Sequence, residues 1–384
     1  MSVYYIRGAD YHQTFPFPVK GLIYLYAAPS SMTMKDAGHR TAVEAALNHE
    51  RYERTPVNNF ALVTAARSAG IKVDDARWHP EVSAKVSIDY ALKTHSDFVK
   101  PVLDSQIPFA DLGMDVKFPE DDYGSVKSVK VTTPEEIDDL AFFDPSKASE
   151  CPNFTNVIVK GIEATAKMLP EDLHLCGLSW GPISTAGYLM GTENMLLMTM
   201  MGEEEPVKKL INKVADFVLE QQLVMIDAGA TVMWMADPTS SGDLISPDMF
   251  DDYSFGPIKK VISKTKEQYK VPAFLHICGN TTSIMKKLPA TGCDCFSFDH
   301  AVDITQAKSL AGREIALMGN IDPVKMILQG NPEEITQKCY EMIDVAGQDG
   351  GYIIAPGCET PLASPDENVI AMGKAGIDYW KNRH

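Results

Sequence analysis

The stretch Ala273-Phe274-Leu275-His276-Ile277-Cys278-Gly279-Asn280 decides how the chain is read. A short run of mainly apolar residues leads into a Gly-Asn turn, and no charged side chain interrupts it. Runs of this length, alternating with longer amphipathic stretches, describe parallel strands covered on both faces. Side chains in a strand alternate sides. His276 and Cys278 therefore point one way, and Ile277 points into the opposite layer.

Working outward, the same pattern recurs. Leu173–Leu178, Thr231–Ala236, Cys295–Phe298, Ile315–Met318 and Tyr352–Ala355 read as further strands. Helical patterns lie between or after them, at Glu204–Ala228, Pro247–Lys270, Thr305–Leu310, Pro332–Val345 and Pro365–Asn382. A proline at or near the start of several of them suits a first helical turn. Upstream, Pro56 acts as a stop, and Val57–Val63 is a candidate first strand. Strand–helix alternation repeated this often predicts an α/β chain folded as a (β/α)8 TIM barrel, with a doubly wound open sheet as the alternative. No Gly-rich dinucleotide fingerprint follows any strand, which weakens the open sheet. Residues 1–37 are rich in Tyr, Phe and Pro and have no helical period. They read as an N-terminal extension to a barrel over 38–384, packing on the body or on a second copy as a homodimer.

Composition narrows the function. Lys and Arg number 35 against 52 Asp and Glu, a net charge of −17, and no basic stripe suited to nucleic acid stands out. The apolar run Leu22–Ala28 is far short of the ~20 residues of a membrane helix and lacks the flanks of a secretory signal. The chain reads as soluble and cytoplasmic. Seven cysteines, an odd number in a long chain, point to free thiols or a metal site in preference to a disulfide framework.

A barrel places its chemistry at the carboxyl ends of its strands. Those ends carry Ser179-Trp180-Gly181-Pro182, Asp237-Pro238, His276 through Asn280, Asp299-His300, Gly319-Asn320-Ile321-Asp322 and Pro356-Gly357-Cys358-Glu359. His276 and Cys278 share a face, and Cys358 ends another candidate strand 80 positions after Cys278. Two cysteines and one histidine form a recognised catalytic zinc set with one position open. Cys293 and Cys295 are a competing pair, but they stand at the start of a strand, on the face where a barrel keeps its stability residues. Zinc held by two thiolates and a neutral imidazole carries no net charge and generates hydroxide poorly, yet it can hold an incoming thiol as thiolate. Asp299 or His300 is placed to fill the open position at rest. Asp237 and Asn280 are placed to orient substrate or the groups around it.

These residues resemble the uroporphyrinogen decarboxylase superfamily, and within it the zinc-dependent methylcobamide:coenzyme M and related corrinoid methyltransferases. The landmarks run from Arg51-Tyr52-Glu53-Arg54-Thr55-Pro56-Val57 through Gly181-Pro182-Ile183-Ser184, Ala228-Gly229-Ala230 and Gly319-Asn320-Ile321-Asp322-Pro323 to Asn368. The His-x-Cys-Gly-Asn and Pro-Gly-Cys pair is the specific part. The resemblance implies zinc on His276, Cys278 and Cys358, with Asp299 as the displaceable acidic ligand. It also implies methyl transfer between a methylcorrinoid, carried on a partner corrinoid protein, and a small acceptor thiol such as coenzyme M. Related enzymes run the donor side, demethylating ethers or amines onto cob(I)alamin. The decarboxylase itself uses an arginine cluster, and the matching region Phe60–Gly70 offers only Arg67.

Overall fold

The computed structural model describes residues 39–101 and 104–381. The extension 1–37, its boundary with the barrel and any dimer contact through it lie outside the described residues. Seven parallel strands run in sequence order: β1 (Phe98–Val99), β2 (His174–Trp180), β3 (Val232–Ala236), β4 (Ala273–Ile277), β5 (Cys295–Phe298), β6 (Ala316–Ile321) and β7 (Tyr352–Pro356). The eighth position is taken by the segment around Val57, which bridges Ile354 in parallel. Asn58 N donates to Ile354 O (2.8 Å) and Ile354 N to Pro56 O (2.9 Å) on one side; Asp97 N donates to Val57 O (2.8 Å) on the other. Both edges of the sheet are thereby joined, and the predicted barrel closes.

Strand alternation sorts two cores. Phe98, Cys176, Trp234, Phe274, Met318 and Ile353 pack together inside the barrel. Leu175, Met235, Leu275, Phe298, Leu317 and Ile354 belong to the layer under the helices. Each strand is apolar on both sides, so the period of two is hidden in its sequence although it holds in the structure. The helix His39–Leu47 contributes Val43 and Ala46 to the interior cluster, and Arg40 reaches Leu173 O just ahead of β2. The helix thus covers the end of the barrel opposite the strand ends.

β4 and β5 have the predicted bounds. β2 and β6 run further than predicted. Ser179-Trp180 and Gly319-Asn320-Ile321 lie inside strands, not after them. The polar Asn320 is accommodated because its Nδ2 donates to Asp299 O (2.9 Å) and Val302 O (2.7 Å), tying the loop after β5 to β6. The candidate strand Val57–Val63 is corrected to the bridge at Val57, followed by Thr64–Ser68 as helix. No helix among the described residues is long and apolar enough to cross a membrane.

Candidate metal centre

β4 delivers His276 to the barrel interior, 2% exposed, with its ring edge-on to Phe60 at 5.1 Å. Its Nδ1 lies 3.0 Å from Ser297 Oγ and 3.2 Å from Ser297 O on β5. A ring nitrogen held in this way fixes the tautomer and leaves Nε2 as the free donor. Nε2 stands 3.0 Å from Cys278 Sγ, and Cys278 Sγ stands 3.5 Å from Cys358 Sγ. All three donor atoms lie within 4.8 Å of one another, and neither cysteine is in a disulfide. A tetrahedral zinc with Zn–S ~2.3 Å and Zn–N ~2.0 Å wants its donors roughly 3.5–3.8 Å apart. The set fits that ion with small adjustments.

Two glycines make the approach possible. Gly279, at φ +72°, turns the chain directly after Cys278, where a Cβ would stand 2.2 Å from Asp243 Oδ2. A Cβ on Gly357 would stand 2.4 Å from His300 N, so only glycine lets the Cys358 loop close on the loop after β5.

Without an ion, the two thiols share a proton. Cys358 is pushed down to about 4, first by the hydrogen bond from Cys278 and then by His276, against the opposing effect of burial. Cys278 is pushed up, because it holds that proton and is partly buried. A pair that already keeps one sulfur anionic is prepared for a cation.

The other predicted residues fall in different places. Asp299 is 7% exposed beyond β5; its Oδ1 accepts from Ala301 N (2.9 Å) and lies 2.7 Å from His300 Nδ1. Its charge acts on Cys278, but the convergent group among the described residues consists of His276, Cys278 and Cys358. Asp237 is fully buried, and its Oδ1 accepts from Ser184 N (2.8 Å), capping the helix Pro182–Met190. Burial pushes its carboxyl up to about 6. Asn280 is exposed; its N donates to Asp243 Oδ2 (2.9 Å), and its Oδ1 accepts from Thr282 N (3.1 Å) in a turn.

Beside the donors lies a cavity of about 120 Å³, lined by Phe60, Leu178, Trp180, Pro238 and Glu359 among others. Neither Asp237 nor Asn280 lines it. Two groups had no role in the sequence reading. Glu359 Oε1 is buried without a hydrogen-bond partner, and burial pushes the carboxyl up to about 8 against the pull of Lys100. Lys100, also buried, donates to Asn58 Oδ1 (2.6 Å) and sits over the rings of Trp234 (5.1 Å) and Phe60 (5.7 Å). Burial pushes it down to about 8. The position of Glu359 next to Cys358 was the available signal for the first. Lys100, which follows a strand of two residues, offered none.

The family model for uroporphyrinogen decarboxylase (URO-D) matches residues 39–379. The chain belongs to the uroporphyrinogen decarboxylase family. Within that family, this URO-D chain is 25% identical over 341 residues to a methylated-thiol–coenzyme M methyltransferase of Methanosarcina mazei, covering 88% of each. It is 29% identical over 223 residues to the methylcobamide:CoM methyltransferase MtbA of Methanosarcina acetivorans, covering 58% of this chain and 63% of the relative. Proteins named uroporphyrinogen decarboxylase match as well. A solved methyltransferase structure from Methanosarcina mazei superposes with a TM-score of 0.79 at 21% identity, over 89% of this chain and 99% of that one. That likeness supports the barrel fold.

Proposed function

We propose that this chain is a zinc-dependent methyltransferase that moves a methyl group between a corrinoid, carried on a partner protein, and a small thiol. The observation that carries the reading is the convergence of His276, Cys278 and Cys358 beside a cavity at the strand ends. The relatives named as methyltransferases support the reaction class and the corrinoid. Zinc bound by these three residues would keep a substrate thiol ionised at neutral pH, where a free thiol of pKa ~8.5 is mostly protonated.

The chain's own groups do the rest. Ser297 holds the His276 ring so that Nε2 faces the sulfurs. Phe60, Trp180 and Pro238 wall the cavity against water. Asp299, braced by His300 at the rim, is the carboxylate proposed for the remaining position. Asp237 and Asn280 are positioning residues: the first anchors the helix after β2, the second completes the turn that presents Cys278. In the transfer, the substrate sulfur's lone pair forms the S–CH3 bond, and the Co–C bond breaks with its electron pair left on cobalt. The thiol proton goes to solvent.

Arg67, the lone arginine of the region matching the decarboxylase cluster, pairs with Asp366 (3.0 Å) and Ser364 O and does not line the cavity. This disfavours a polycarboxylate substrate. All seven cysteines are free, which supports a cytoplasmic setting. The test is metal content together with methyl transfer from methylcob(III)alamin to a thiol. Cys278→Ser and Cys358→Ser, each still folded, should lose bound zinc and turnover together; full retention of both would refute the assignment.

A further inference from the structure

We propose that the thiol taken by this site is uncharged and apolar, an alkanethiol or its methyl thioether, in preference to a thiol with an acidic tail. The inference rests on the methyl-transfer reading and adds the substrate class. Facing the donor set, the cavity wall is Phe60, Leu62, Leu178, Trp180, Ala236 and Pro238. Among the described lining residues none is Lys or Arg.

The polar groups nearby are engaged or offer no positive charge. The Trp180 indole N–H donates to Ser105 O (3.0 Å), so the ring presents only its apolar surface to the cavity. Ser179 Oγ accepts from Gln222 Nε2 (3.0 Å), and the Ser179 and Ser105 hydroxyls of the lining are neutral donors that cannot balance the charge of a sulfonate or carboxylate. Glu359 and the two cysteine sulfurs also line the cavity, and none of them supplies a cation. Lys100, the buried cation close by, is held by Asn58 and by two ring faces and does not line the cavity. An anion buried here would give up its hydration without gaining a cationic partner. The overall charge of −17 opposes its entry as well. An alkyl chain, in contrast, gains by leaving water for this surface.

The test uses the full chain loaded with Co2+, whose thiolate-to-metal absorption, already given by Cys278 and Cys358, rises when a third thiolate binds and so reports binding without turnover. Ethanethiol, 2-mercaptoethanol and 2-mercaptoethanesulfonate are titrated, each referred to its thiolate concentration. The neutral thiols should bind at least tenfold more tightly than the sulfonate. Leu178→Lys, which adds a cation to the wall, should shift that ratio at least tenfold toward the sulfonate. If this variant does not fold, the wild-type series decides alone. Equal or tighter binding of the sulfonate by the wild-type chain would overturn the inference and leave methyl transfer standing. An unchanged ratio in a folded Leu178→Lys chain would overturn it too. No rise in the band with any thiol would remove the thiol reading along with it.

Discussion

Cys278 Sγ lies 3.5 Å from Cys358 Sγ, although 80 residues separate them in the chain. The contact is made across the barrel mouth, since β5 and β6 lie between the strands that the two cysteines follow, and each sulfur is flanked by a glycine that lets its loop come close. The other five cysteines are buried and have no such partner group among the described residues.

That contrast predicts the thiol chemistry. Because Cys358 is held ionised by Cys278 and His276, metal-free protein should react with an aromatic disulfide reagent in a fast phase even below neutral pH. The fast phase should account for the Cys278–Cys358 pair, with the buried cysteines reacting only on unfolding. Zinc should abolish it. A fast phase unaffected by zinc would mean that the ion binds elsewhere.

Ser297→Ala removes the hydroxyl 3.0 Å from His276 Nδ1 while the backbone acceptor at 3.2 Å stays. Groups that orient a metal-bound histidine typically contribute 10–100-fold in affinity. With one of two acceptors left, zinc affinity measured against a competing chelator should fall about tenfold, and thermal unfolding of the metal-free chain should barely move. A loss confined to stability would make Ser297 a packing residue only.

Lys100 gives a pH dependence with a definite sign. Its folded pKa is depressed from 10.5 to about 8 by burial, so between those values the unfolded chain binds more protons. Stability from this group therefore rises with pH across that window and is lost as pH falls through 8. Lys100→Met should remove the slope. The stability difference between variant and wild type, followed by denaturant unfolding from pH 7 to 10.5, should change by about 3 kcal/mol. A constant difference would show that the ammonium is better solvated than its surroundings imply.

Much of this was legible in the sequence, for reasons that particular residues make plain. β4 and β5 are short apolar runs bounded by turns or charge, and their ends are where the pattern places them. His276 and Cys278 share a face because strand geometry requires it, while the approach of Cys358 depends on barrel closure, which no local pattern encodes. β1 was missed because Phe98–Val99 is two residues between Asp97 and Lys100, too short for a period. Asp237 shows the limit of a strand-end rule: its position at the end of β3 was read correctly, but its side chain turns to the helix at Pro182 and not to the cavity. Burial and charge coupling, which single out Glu359 and Lys100, appear only after folding.

The central claim is that one imidazole and two sulfurs hold a single ion, and X-ray absorption at the zinc edge of the loaded protein tests it most directly. The account predicts one zinc per chain with two sulfurs at ~2.3 Å and at least one nitrogen at ~2.0 Å. After the same loading, Cys278→Ser and Cys358→Ser should show no zinc with two sulfurs around it. A zinc surrounded only by oxygen and nitrogen, or a chain that holds no zinc after loading, would contradict it.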